Sequence, residues 1–218
     1  MKLVVFDVDG TLIDSQHHIH HAMSAGFQAA GLAPLPRQDV LQIVGLSLPV
    51  AVAQLAAGHD AETQARIVDV YRTAFMQARM AQAAPLYPGA LDCLERLGGR
   101  DDILLAIATG KSRRGVAAMI AAHGLEGRFV SLQTADDHPS KPHPAMLLAA
   151  LDDAGVDAAD AVMIGDTSFD MDMARAAGIA GFGVGWGYHA ADVLTASGAA
   201  IVAADFAALE QALAGWAA

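Results

Sequence analysis

Six short, unbroken apolar runs, separated by stretches with helical spacing, leave this chain few ways to fold. They fall at residues 3–6, 103–108, 129–132, 161–165, 181–186 and 200–203. Most are continuous rather than alternating, the pattern of strands covered on both faces. Between the later runs, Val116, Met119 and Ile120 share one helical face, Leu147, Leu148 and Leu151 another, and Leu209 and Leu213 a third near the C-terminus. Strand–helix alternation from about residue 88 onward predicts an α/β fold: a Rossmann-like parallel sheet with helices on both faces.

Residues 16–84 break that rhythm and read as helices only, at 16–30, 39–44, 48–57 and 61–83. In the last of these, Ile67, Val68, Tyr71 and Phe75 form an apolar stripe. Proline- and glycine-rich segments at 31–36 and 84–89 punctuate the interior and the end of this block. The division predicted is a core of residues 1–15 and 86–218 carrying an inserted all-helical cap at 16–85. A chain of 218 residues suits one domain with a smaller insert.

The formal charge of −11 predicts no nucleic-acid or anionic-membrane partner. No apolar run approaches the ~18 residues that span a bilayer, and the start of the chain is too short in apolar residues for a signal peptide. The single cysteine, Cys93, excludes an internal disulfide and fits a cytoplasmic setting. In so acidic a chain, recognition of an anion must be local. Only three lysines exist, at 2, 111 and 141.

The first run ends in Asp7-Val-Asp9-Gly-Thr11. Residues i and i+2 of an extended chain point the same way, so Asp7 and Asp9 are placed to converge at the C-terminal end of a buried strand. In open parallel sheets that edge is where ligands bind. Met163-Ile164-Gly165-Asp166 reads as a second strand ending in a carboxylate, with Asp170 entering the helix after it. Like charges gathered on one sheet edge call for a cation. Oxygen ligands without cysteine or clustered histidine favour Mg²⁺. Helix capping by Asp166 and Asp170 is compatible with that role. Thr109-Gly110 closes another strand with a hydroxyl and a free backbone able to hold phosphate oxygens. Lys141, between Ser140 and Pro142, supplies a point charge from a stiffened loop.

In this order along the chain, the set resembles the haloacid dehalogenase-like superfamily, and within it the helical-cap phosphatases similar to phosphoglycolate phosphatase. Asp7 to Ser15 matches the first motif, Thr109 the second, Lys141 the third, and Gly165-Asp166 through Asp170 the fourth. The resemblance extends to Trp186-Gly-Tyr-His189 and to Asp205-Phe-x-x-Leu209. It implies hydrolysis of a small phosphorylated metabolite through a phosphoaspartate on Asp7, with Mg²⁺ as cofactor. Asp9 then serves as acid and base, with its backbone carbonyl on the metal. Asp166 is a direct ligand and Asp170 a support, while Thr109, Gly110 and Lys141 hold the phosphoryl oxygens. The substrate favoured is 2-phosphoglycolate or a sugar phosphate, the oligomeric state a monomer or small homo-oligomer, and the cap hinges near Ser15 and Pro85.

Other features have more than one reading. His17 and His21 stand four apart, at metal-binding spacing on a helix, or mark a polar start to the cap with one histidine facing substrate. Lys111-Ser-Arg113-Arg114 either adds positive potential near the phosphate or is a solvated helix start. Cys93, among Leu91, Leu94 and Leu97, is expected buried and inert. A phosphonate hydrolase of the superfamily needs a cap lysine, and residues 15–85 contain none. A haloacid dehalogenase lacks the carboxylate that Asp9 supplies. A phosphosugar mutase shares every core motif and stays open as an alternative. So, in a different class, does a phosphoaspartate signalling or binding module without turnover, which the intact Asp9 disfavours.

Overall fold

The computed structural model describes residues 1–217. In chain order the strands are β1 (Lys2–Phe6), β2 (Ile103–Thr109), β3 (Ser131–Thr134), β4 (Ala161–Gly165), β5 (Ala180–Val184) and β6 (Ile201–Ala203). The helices are α1 (Gln16–Ala29), α2 (Arg37–Leu41), α3 (Leu48–Leu55), α4 (Ala61–Ala81), α5 (Ala90–Gly98), α6 (Arg113–His123), α7 (Ala145–Ala154), α8 (Ser168–Ala177), α9 (Ala191–Ala196) and α10 (Phe206–Ala217). None is both long and apolar enough to cross a membrane.

The strands form one sheet in the order β3-β2-β1-β4-β5-β6, with every pair parallel. Side chains of a strand alternate between faces, and β1 divides accordingly. Val4 and Phe6 pack with Cys93, Leu94 and Leu97 of α5, Val116 and Met119 of α6, and Leu209 and Leu213 of α10. Leu3 and Val5 pack on the other face with Met146, Leu147 and Ala150 of α7 and Met173 and Ala174 of α8. Burial of both faces is the reason the strands read as continuous apolar runs. One expected face differs: Leu148 is 50% exposed, because the stripe of α7 that meets the sheet runs through 146, 147 and 150.

Two strand positions also differ. The third run was expected at 129–132, and β3 lies at Ser131–Thr134. As an edge strand it carries polar residues that its surroundings satisfy: Ser131 Oγ donates to Asp153 Oδ2 at 2.8 Å. β5 ends at Val184, and Trp186 turns off the sheet to pack against Phe206, with ring centroids 4.5 Å apart and planes tilted by 35°.

Helices α1 to α4 bury their own cluster, in which Ile19, Met23 and Phe27 of α1 meet Ile67 and Val68 of α4. Asp60 caps α4 by accepting from the Thr63 N–H at 2.8 Å. The chain enters and leaves this block along one paired neck. Ile13 bridges antiparallel to Leu86. Asp14 N–H donates to the Pro85 carbonyl, and Tyr87 N–H to that of Leu12, each at 2.9 Å.

Beyond β1 the chain continues to β2 on one side and returns to β4 on the other, so β1 is the switch point of the sheet. The residues just past its C-terminal end therefore occupy the crevice such topologies leave open.

Candidate active site

Asp7 is the first residue past β1, and its N–H still donates to the Ile164 carbonyl of β4 at 2.9 Å. That bond fixes the backbone and sends the carboxylate into a buried centre. Asp166 follows β4 directly, and Asp170 lies in the first turn of α8. The three carboxylates each offer an oxygen within 4.8 Å of the others, and all three are buried. Lys141 Nζ reaches this centre from the loop before α7. It donates to Asp170 Oδ1 at 2.6 Å and stands 3.1 Å from Asp7 Oδ1.

Each partner is held from behind. Asp170 Oδ2 accepts from the Thr167 hydroxyl at 2.7 Å and the Thr167 N–H at 3.0 Å, so the helix start and the site share one carboxylate. Asp166 Oδ1 accepts from the Thr11 hydroxyl at 2.8 Å, and Oδ2 from the Tyr188 N–H at 2.9 Å. The backbone presses close here. A Cβ on Gly187 would stand 2.1 Å from Asp166 Cβ, and one on Gly10, whose φ is +89°, would stand 2.2 Å from Asp166 Oδ2. Only glycine allows either approach.

Burial pushes the Asp7 carboxyl up to about 6, with Lys141 opposing and Asp170 adding to the rise. Asp166 is raised well above the usual carboxylate range by burial first, then by Asp170 and Asp7. Burial works against the charge of Lys141, yet Asp170 and Asp7 overcome it and hold its pKa above the ordinary value. The residues present fit a divalent cation. Neither Asp7 oxygen has a hydrogen-bond partner although both are buried. A buried carboxylate so placed is costly without added positive charge. The donor set is oxygen only, which suits a hard cation. Asp7, Asp166 and Asp170 are the carboxylates positioned to hold it.

Asp9 takes a different partner. Gly10 turns the chain, and the Asp9 carboxylate receives Lys111 Nζ on both oxygens, at 2.7 and 2.8 Å. Ser15 Oγ donates to the same carboxylate at 2.5 Å, and Tyr188 Oη lies 3.2 Å from that Ser15 oxygen. Asp7 and Asp9 therefore meet on one cavity with a separate lysine each. Of the two readings of Lys111, a solvated helix start does not hold, since its side chain is 7% exposed. The residues that sequence reasoning missed are Lys111 as the partner of Asp9, Ser15 behind it, and Thr11 and Tyr188 behind Asp166. One signal pointed to Lys111: it stands two residues past Thr109, as Asp9 does past Asp7, on neighbouring strands.

The cavity has a volume of about 450 Å³. Asp7, Asp9, Thr109, Gly110 and Lys111 line its core side, and Met23, Tyr71 and Phe75 its helical side. The segment 42–47 closes onto the core. Ser47 N–H donates to Ser140 Oγ at 2.8 Å. His189 Nδ1 accepts from the Ser168 N–H at 3.0 Å, which leaves Nε2 to donate to the Gln42 carbonyl at 3.0 Å. A Cβ on Gly110 would lie 2.5 Å from the Gly45 carbonyl oxygen. The histidines at 17–21 line no part of this cavity. His17 and His21 are exposed, and the acidic trio is the one metal-binding group of three or more among the described residues. His18 instead meets the Phe75 ring edge-on at 6.1 Å.

Comparison with known proteins agrees with this geometry. The model of the haloacid dehalogenase-like hydrolase family matches residues 4–184. The "Probable phosphatase IndB" of Dickeya dadantii is 36% identical over 208 residues, covering 94% of this chain and 90% of that protein. The phosphoglycolate phosphatase of Rhodospirillum rubrum is 34% identical over 218 residues, covering 95% and 89%. Among solved structures, a hydrolase from Pseudomonas syringae superposes with a TM-score of 0.88 at 26% identity, covering 99% of each chain.

Proposed function

We propose, from the premise that this chain belongs to the haloacid dehalogenase-like hydrolase family, that it is a magnesium-dependent phosphatase of small phosphate monoesters working through an aspartyl phosphate on Asp7. The relatives named as phosphatases support the coarser part of this reading, a phosphatase of that family. The observation that carries the finer reading is Asp7 itself, at the head of the cavity: a buried carboxylate with no hydrogen bond on either oxygen, whose close partner is the Lys141 ammonium, 3.1 Å from Oδ1. A structural carboxylate would be satisfied. One without such bonds would be free to help hold a cation and to attack phosphorus.

In this reading Asp7 attacks phosphorus, the bond from phosphorus to the ester oxygen breaks, and Asp9 gives the departing oxygen its proton. Asp9 then takes a proton from water, which attacks the phosphorus of the aspartyl phosphate and returns Asp7 with release of inorganic phosphate. Division of one displacement into two is the benefit of the covalent step. Lys141, Thr109 and the backbone at Gly110 orient the phosphoryl oxygens and balance their charge. Asp7, Asp166, Asp170 and the Asp9 carbonyl would hold Mg²⁺, which when bound would add to the neutralisation of those oxygens. Residues 16–85 act as a cap whose closure by segment 42–47 excludes water from the cavity. The substrate class is phosphoglycolate-like or a sugar phosphate.

The test is phosphate release from a panel of phosphomonoesters with and without Mg²⁺, beside Asp7→Asn. Release that needs Mg²⁺ and disappears in Asp7→Asn is expected. Equal release after chelation, or an active Asp7→Asn, refutes the mechanism. Isomerisation of a glucose phosphate without net release indicates the mutase instead.

A further inference from the structure

Ten of the chain's 13 cationic side chains stand within 4.0 Å of a carboxylate. Among the described residues the three without one are Arg37, Arg79 and Arg114, and two of them, Arg79 and Arg114, line the cavity. Their guanidinium groups make weaker contacts. Arg79 Nη1 donates to the Arg114 carbonyl at 3.4 Å, and Arg114 Nη2 faces Met76 Sδ at 3.2 Å. In a chain of net charge −11, these two unpaired cations outnumber Asp136, the carboxylate without a salt bridge on the same lining, and leave a local surplus of positive charge. Such a surplus in a cleft attracts anions.

Lys111 stands on the same side. Its ammonium is held between the Asp9 carboxylate and the face of the Phe75 ring, 4.8 Å from the centroid. With Lys111 on both Asp9 oxygens and Ser15 on Oδ1 as well, each oxygen of Asp9 is already engaged by a donor before a leaving group arrives. A lysine is a mobile point charge with rotatable donors, so it exchanges one anionic partner for another at little cost. It does not leave a carboxylate for a neutral group so readily, since that abandons a charge-assisted bond without replacement.

We propose that this enzyme selects phosphate monoesters whose leaving group carries a second anionic group, and that Lys111 moves from Asp9 to bind it. Arg79 and Arg114 add positive potential at the rim. The second anion frees the oxygens of Asp9 as it is recognised, so the group that identifies the substrate also exposes the residue that acts on it. The inference rests on the phosphatase reading above and narrows its substrate class. The cavity of about 450 Å³ admits a short carboxylate or a sugar bearing a second phosphate.

The experiment compares matched pairs: 2-phosphoglycolate against ethyl phosphate, and glucose 1,6-bisphosphate against glucose 6-phosphate, with Mg²⁺. The wild type is expected to favour the anionic member of at least one pair by about tenfold or more in kcat/KM. The pair that shows it identifies carboxylate or phosphate as the second anion. Lys111→Met is expected to bring that ratio to within about threefold of unity. A ratio unmoved by Lys111→Met, or a wild type without preference, overturns the proposal. Should Lys111→Met not fold by circular dichroism, Arg79→Gln/Arg114→Gln decides: a ratio lowered by about threefold supports it and an unchanged ratio overturns it. Absence of phosphate release from every compound refutes the phosphatase reading alone. Calorimetric titration of Asp7→Asn with the same pairs then decides the present one, by whether the anionic member binds more tightly and loses that advantage without Lys111.

Discussion

Replacing Lys141 by methionine tests the electrostatic account of the site through stability rather than activity. The Lys141 side chain is fully buried, as is that of Asp170, and Asp7 is 1% exposed. Methionine fills most of the same volume but leaves Asp7, Asp166 and Asp170 facing one another without the ammonium. Removal of one partner from a buried ion pair costs about 3–5 kcal/mol, because the remaining charge stays buried. For a chain of this size each kcal/mol moves the melting temperature by about 2–4 °C, so Lys141→Met in EDTA is expected to melt roughly 6–20 °C below wild type. Two controls separate this cause from a packing defect. Mg²⁺ should raise the melting temperature of the variant more than that of the wild type, since the cation then balances three carboxylates alone. Lys141→Met/Asp170→Asn should melt above Lys141→Met, because removing both partners removes the unbalanced charge. The assay is thermal unfolding followed by circular dichroism. A variant within about 3 °C of wild type in EDTA, or a double variant less stable than the single one, refutes the reasoning.

Two further outcomes follow from contacts described above. Gly110→Ala places a Cβ against backbone oxygens, 2.5 Å from that of Gly45 and 2.7 Å from that of Leu46, which no rotamer change relieves. The segment 42–47 must withdraw and forfeit the Ser47–Ser140 and His189–Gln42 bonds, a loss of about 1–3 kcal/mol in closure and about 5–150-fold in kcat/KM. Stability should hardly change; a large fall in melting temperature with activity retained contradicts this. Cys93 is fully buried, and burial pushes its thiol up to about 12. Iodoacetamide should leave it untouched in the native protein and modify it in urea, and mass spectrometry showing rapid native alkylation would count against the packing of α5.

The sheet was legible because burial on both faces writes itself into the sequence as continuous apolar runs, and five of the six strands overlap their expected positions closely. β3 slipped by two residues because an edge strand keeps polar side chains, and the apolar pair Phe129 and Val130 just before it gave the stronger signal. The convergence of the carboxylates and Lys141 was legible for a related reason: Asp7 and Asp166 directly follow buried strands, Asp170 lies in the first turn of the helix after the second of them, and Lys141 lies in the loop between β3 and α7. Lys111 was not. Its partner Asp9 lies 102 residues away, and its place two residues past Thr109 indicates only that it stands near the sheet edge, not which carboxylate it meets. Of the readings open for the histidines at 17–21, the polar start to the cap holds for His17 and His21, which α1 turns outward. The docking of segment 42–47 had no sequence signal either, because it is made by backbone groups of residues whose types are unremarkable.

The neck formed by Ile13 and Leu86 has a consequence for how such a chain tolerates change. Residues 15–84 leave and rejoin the core at adjacent, hydrogen-bonded points, so from the core's side they form a closed loop whose ends already meet. The entropy of closing such a loop grows only with the logarithm of its length, about 0.6 kcal/mol per doubling. Because the block carries its own buried cluster, its length and composition away from segment 42–47 have little bearing on the stability of the sheet. Selection can therefore rework the helical wall of the cavity, lengthening or replacing helices, while the carboxylates and lysines at the sheet edge stay in register on a scaffold that hardly registers the alteration.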